Sequence, residues 1–216
     1  MSTLSLIPFG LRLSDQQFVD VSDVKRGGHC NCICPSCKTP LIARQGNINE
    51  WHFAHESKGV FSNTKNECEY AFWLSVTLMA KQVIKNAHSI QLPSLTMYTN
   101  EAIEVKVSEQ VVVQLDQVEI EQKINSVVVD ATLKLGKYFI AVIFTTPHSH
   151  SDDYTSNIAS SAKVGVLEIS LKDAAQWLFS SNNQGKYAQV LKSNILSNNN
   201  CKKWLFHPRK SVIESQ

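Results

Sequence analysis

The sequence predicts an α/β protein, a mixed sheet flanked by helices, with a small N-terminal module of different construction. Three observations carry this. Apolar residues recur at helical steps from Glu69 to about Ala87. Alternating and continuous β-branched runs then occupy 103–144 and return at 164–169, between further helical stretches. Residues 29–68, by contrast, are rich in Cys, His, Gly and Asn and show little apolar periodicity. Such a block needs something other than a hydrophobic core to order it.

Taken in order, residues 1–28 read as a lead-in with some strand character that closes on Gly27-Gly28. Within 29–68, Leu41 to Asn47 looks like a hairpin that returns the chain. Phe72, Val76, Met79, Val83 and Ala87 then mark one helical face, with Asn66 and Glu69 as a capping box and Pro93 beyond the end. Strands follow at Ile103–Val107, Val111–Val113, Val118–Glu121 and Val127–Leu133. Gly136-Lys137 makes a turn into Tyr138–Phe144, whose unbroken apolar character suits a central strand buried on both faces. After a polar stretch, His148 to Ser161, comes the strand Val164–Ile169, then a helix capped by Ser170 and Asp173 that ends near Phe179. Ser180–Gly185 is a linker and Lys186–Ser197 a last amphipathic helix. The expected divisions are 1–28, 29–68, 69–180 and 181–216.

Composition narrows the classes. Of 216 residues, 43% are hydrophobic and 19% charged, which excludes a disordered or low-complexity chain. No apolar run reaches membrane-spanning length and no signal-peptide pattern opens the chain, so a soluble, cytoplasmic protein is expected. A net charge of +2 does not by itself call for nucleic acid. It hides an asymmetry, however: from Lys186 onward six Lys or Arg face one acid, Glu214, leaving fifteen against eighteen before it.

Four of the six cysteines, Cys30, Cys32, Cys34 and Cys37, crowd into eight positions, and the others are Cys68 and Cys201. Secreted disulfide frameworks spread their cysteines to staple distant loops, so this clustering argues for metal. Cys34-Pro35-Ser36-Cys37 sets two thiolates on one side of a turn, and His52-Phe53-Ala54-His55 follows. That donor set suits a tetrahedral structural zinc. Cys34 and Cys37 are the first candidates and His55 the third. The fourth is His52 or Cys68, with Cys30 and Cys32 in reserve. Four protein ligands would leave no open position for catalysis.

These residues resemble a known family. Cys34-Pro35-Ser36-Cys37, Pro40-Leu41-Ile42, Arg44-Gln45-Gly46 and His52-Phe53-Ala54-His55 are similar to the zinc-binding N-terminal region of competence protein CoiA-like proteins. The resemblance implies that a restriction-endonuclease-like domain of the PD-(D/E)-x-K superfamily follows, with Asp130 on the strand of its first acidic residue. It also implies Mg²⁺ bound by that Asp and a Glu on the next strand, with a Lys or Gln two residues on to position water. Here Ile143 and Thr145 fill those last two positions. Either the acids have migrated, with Glu69, Glu119 or Glu121 joining Asp130, or the fold is kept without the chemistry. Asp130 also has a purely structural reading, as a strand-end carboxylate held by backbone N–H groups.

The C-terminal segment surrounds Trp204 and Phe206 with Lys202, Lys203, Arg209 and Lys210, and Lys25, Arg26 and Arg44 add cations near the cysteine block. Phosphates and unpaired bases suit such a mixture, so DNA is the expected partner. The competing reading docks the aromatics on the core and leaves the lysines in water. The loop with His148, His150, Asp152 and Asp153 reads as solvated. No phosphate loop, nucleophile elbow or dinucleotide fingerprint occurs. Two functions stand: a zinc-containing DNA-binding or DNA-processing protein, and a non-enzymatic interaction or regulatory protein of a competence or defence system.

Overall fold

The computed structural model describes residues 6–56, 71–98, 103–149, 158 and 164–210. The chain is a mixture of short sheets and few helices, in two compact units. One draws on Met1–Gln82 and Asp173–Lys192, the other on Val83–Lys172 and Ser193–Gln216.

In the first unit, β1 (Phe9–Arg12), β2 (Phe18–Asp20) and β3 (Cys32–Ile33) form an antiparallel sheet in the order β2-β1-β3. A hairpin of β4 (Leu41–Arg44) and β5 (His52–His55) follows. Isolated bridges Ile7↔Phe53, Gly27↔Ala43 and Ile33↔Pro40 tie the lead-in to the cysteine-bearing segment. Gly10 is required where these pieces meet, because a Cβ there would stand 3.2 Å from Cys32, Leu41 and Phe53 side chains.

Most of α1 (Ala71–Lys85) lies in this unit, as do α2 (Ala174–Leu178) and the greater part of α3 (Tyr187–Leu196). The apolar stripe of α1 buries Phe72 and Val76, and Phe179 stacks between Phe72 and Tyr187 at centroid distances of 6.0 and 5.3 Å. Gln82 mimics a strand for β2, accepting from the Phe18 N–H and donating to its carbonyl, both at 2.8 Å. The expected capping box at Asn66 and Glu69 lies outside the described residues. The cap expected of Asp173 does not form: its side chain makes no capping bond, and the Ser170 hydroxyl accepts from Lys172 N–H at 3.4 Å instead. A buried aspartate elsewhere does that work. Asp20 takes the Ser22 N–H at 3.0 Å and the Ala188 N–H, at the start of α3, at 2.7 Å.

The second unit opens with β6 (Ser89–Leu92), β7 (Leu95–Tyr98), β8 (Glu104–Ser108) and β9 (Val111–Gln114), paired antiparallel as β6·β9 and β7·β8. β10 (Gln117–Ile120), the small hairpin of β11 (Lys123–Ile124) and β12 (Val127–Val128), β13 (Ala131–Leu135), β14 (Tyr138–Thr145), β15 (Val164–Ser170) and β16 (Lys202–Phe206) follow. Their main sheet has the order β10-β13-β14-β15-β16, and its one parallel pair is β14·β15. β14 is buried from Ile140 to Thr145, which is why its sequence does not alternate. The single strand expected over Val127–Leu133 is two, broken at Asp130.

The basic, aromatic segment is not a loose tail, since it pairs with β15 as an edge strand. Among the described residues no helix is long and apolar enough to cross a membrane.

Candidate metal centre

Cys34 follows β3 and begins a tight turn. Its carbonyl accepts from Lys38 N–H and its own N–H donates to the Thr39 carbonyl, both at 2.9 Å. Pro35 presets the turn's first dihedral, while Lys38 takes the left-handed conformation at φ 63° and donates its ammonium to the Pro35 carbonyl at 2.8 Å. This geometry sets both sulfurs on one side.

The hairpin brings up the third donor. Leu41 stands opposite His55, and the Glu56 N–H bonds the Pro40 carbonyl at 2.9 Å, so the end of β5 lies against the turn. The ligand atoms of Cys34, Cys37 and His55 all fall within 4.8 Å of one another. Cys34 is fully buried, as is Nε2 of His55, while the Cys37 thiol meets the Thr39 hydroxyl at 3.1 Å. Two sulfurs and an imidazole nitrogen are a soft, neutral-to-anionic set that could hold a metal ion, and they are of the kind zinc takes.

His52 is not in this group. Residues three apart on a strand face opposite sides of the sheet, so His55 turns to the cysteines and His52 away from them. His52 pairs with Arg44, and its Nδ1 lies 2.8 Å from the Glu50 carbonyl. Cys68, the alternative fourth ligand, lies outside the described residues.

The reserve thiols are otherwise engaged. Cys30 donates to the Leu41 carbonyl at 2.9 Å and Cys32 to the Cys30 carbonyl at 3.2 Å. The closeness of the two thiols lowers Cys30 and pushes Cys32 up.

In the second unit, Asp130 accepts from the Phe144 N–H at 2.8 Å, and its own N–H donates to the Val142 carbonyl at 3.1 Å. Extending the registers puts Asp130, Ile143 and Glu168 in one row across β13, β14 and β15. Ile143, 4% exposed, fills the middle of that row and packs with Val129, Ala141, Ile158, Val164 and Val166. Thr145 donates its hydroxyl to Glu168 at 2.6 Å. From the sequence Glu168 reads only as a strand-end position. Its strand pairing, which no local pattern encodes, reveals its place in the row. Glu119 accepts from Gln117 at 2.8 Å, and Glu121 is exposed with φ 56°. Glu69, with His150, Asp152 and Asp153, lies outside the described residues. Among the described residues, Cys34, Cys37 and His55 form the one cluster of three ligand side chains, and Asp130 has no such cluster around it.

The cationic segment divides. Lys202 is buried and donates to the Gln91 carbonyl at 2.7 Å, and burial pushes its ammonium down to about 8. Trp204 donates its indole N–H to the Pro93 carbonyl at 2.9 Å and lies edge-on to His207 at 4.8 Å. Within the unit, the Lys202 ammonium and the Trp204 N–H thus each have a backbone carbonyl partner. Lys203, Arg209 and Lys210 are exposed.

Residues 15–60, which enclose the Cys34–Cys37–His55 group, match the family model of the N-terminal domain of competence protein CoiA. No curated protein and no solved structure matches the chain.

Proposed function

We propose that this chain is a competence-related, zinc-stabilised DNA-binding protein, built on a nuclease-like unit whose cleavage set is incomplete. The observation that carries the reading is the convergence of Cys34, Cys37 and His55 inside the stretch matched to the CoiA N-terminal domain. Because His52 faces the other side of β5, the fourth ligand proposed is Cys68, the alternative the sequence offers. The zinc would be structural, closing a segment with a small core of its own. DNA is supported by the family match and by the solvent-facing cations Lys203, Arg209 and Lys210.

The nuclease-like reading draws on the order β10-β13-β14-β15, with three antiparallel strands and a parallel fourth, and on Asp130 beside β14. The described residues around Asp130 do not fit a two-carboxylate Mg²⁺ site. Hard Mg²⁺ demands several oxygens in near-octahedral array, whereas Ile143 offers none and Glu168 is bonded to Thr145. No hydrolytic step is therefore assigned. The same observation favours a second reading, a regulatory or interaction protein on an inactive nuclease-like fold.

Purified protein should carry about one equivalent of zinc, bind oligonucleotides at low salt, and show no Mg²⁺- or Mn²⁺-dependent cleavage that Asp130→Ala abolishes. Asp130-dependent cleavage would overturn the assignment of an incomplete site. Failure to bind single- or double-stranded DNA at low salt would leave the interaction-protein reading in its place.

A further inference from the structure

The outer face of the β4–β5 hairpin carries a feature that neither the metal centre nor the main sheet uses. The doubly hydrogen-bonded bridge Gly27↔Ala43, with N···O distances of 2.9 and 3.1 Å, sets Arg26 opposite Arg44. On its other side Arg44 stands opposite His52. Two guanidiniums and an imidazole thus share one row, and both arginines and His52 line a cleft of about 320 Å³. Like charges facing each other across an antiparallel pair are destabilising unless something negative lies between them. Among the described residues neither arginine has an ion-pair partner, and both are exposed. The one carboxylate of the cleft, on Glu50, takes the Tyr187 hydroxyl at 3.2 Å.

Beside this cleft, a second of about 370 Å³ runs from Arg26 along Asn47, Ile48 and Asn49 at the hairpin tip. Ile48 is 95% exposed, an apolar side chain held out in water between two amides that can donate and accept. Guanidiniums grip phosphate in bidentate fashion, and apolar wedges flanked by Asn unstack bases in nucleic-acid contacts.

We infer that this hairpin is a DNA contact: Arg26 and Arg44 clamp a backbone phosphate, and Ile48 presses on the adjoining base between Asn47 and Asn49. The inference rests on the DNA-binding reading above and locates its contact on the metal-binding module.

Fluorescence anisotropy of labelled single- and double-stranded 20-mers, titrated with full-length zinc-loaded protein across a salt series, tests it. Arg26→Gln/Arg44→Gln should weaken binding about tenfold and reduce the slope of log K against log salt by about one, for the one phosphate the pair no longer neutralises. Ile48→Ser should weaken binding several-fold and leave that slope unchanged, because it removes no charge. Arg26→Lys/Arg44→Lys should restore the slope but not the full affinity, since lysine cannot grip bidentately. Zinc content and circular dichroism verify that each variant is folded. The strand form that shows these losses identifies the ligand. Wild-type binding with unchanged affinity and slope in the Gln variant overturns this site and leaves DNA binding elsewhere. No binding by wild type overturns both readings.

Discussion

Replacing Lys202 by Met tests whether a buried ammonium shapes the stability of the second unit. Lys202 is 7% exposed, and burial lowers its ammonium from the usual 10.5 to about 8. The folded state therefore releases this proton about two and a half pH units before the unfolded chain does. Between those values the unfolded chain binds more protons, so stability rises with pH. Integrated from pH 7 to pH 10, the contribution is roughly 2–3 kcal/mol in favour of folding. Loss of the 2.7 Å bond to the Gln91 carbonyl in Lys202→Met costs about 1–3 kcal/mol, but by nearly the same amount at both pH values. Tyr187 is pushed above its usual value by burial, so its titration opposes this trend, yet it does so equally in both proteins. Urea unfolding of wild type and Lys202→Met at pH 7 and pH 10, with reductant, isolates the difference. Wild type should gain roughly 2–3 kcal/mol on the variant between the two pH values. A gap that stays constant within about 0.5 kcal/mol would refute a buried, depressed Lys202.

Other predictions are more direct. Cys37→Ser and His55→Ala should each lose bound zinc or weaken it by at least tenfold, whereas His52→Ala should retain it, as metal analysis after competition with a chelator would show. Equal loss in His52→Ala and His55→Ala would refute the assignment of the two histidines to opposite faces. Gly165→Ala should cost about 1–3 kcal/mol and shift Trp204 fluorescence, because the new Cβ would meet the indole Cζ3 at 3.0 Å. An unchanged spectrum and midpoint would mean that the indole does not pack on Gly165.

How much of this was legible depends on the range of the physics involved. The stripe of α1 and the buried run of β14 are local patterns, and the described helix, Ala71–Lys85, and strand, Tyr138–Thr145, follow them closely. The hairpin expected over Leu41–Asn47 is found from Leu41 but extends to His55, and its return strand brings His55 to the cysteines. His52 misleads because H-x₂-H looks like one face of a helix, where residues three apart are neighbours. On β5 the same spacing divides them. The role of β16 escaped for a different reason. A segment with cations around aromatics suits a nucleic-acid surface or a sheet edge equally well, and only the free edge of β15 decides between them.

The row Asp130, Ile143 and Glu168 shows why a sheet can carry an aspartate beside an apolar residue for reasons of its own stability. Asp130 holds the Phe144 N–H at the point where β12 gives way to β13, so its removal would leave a strand donor unsatisfied whether or not any cation binds. Ile143 lies in an apolar cluster, where a lone carboxylate would be desolvated with no compensating charge. A Glu at that position is tolerable when a cation neutralises it, and costly otherwise. Packing thus favours isoleucine wherever no cation is bound, while the hydrogen bond to Phe144 favours aspartate in either case. The pairing of Asp130 with an apolar Ile143 is what a sheet shaped by its own stability would carry, and Glu168, satisfied by Thr145, is consistent with that account.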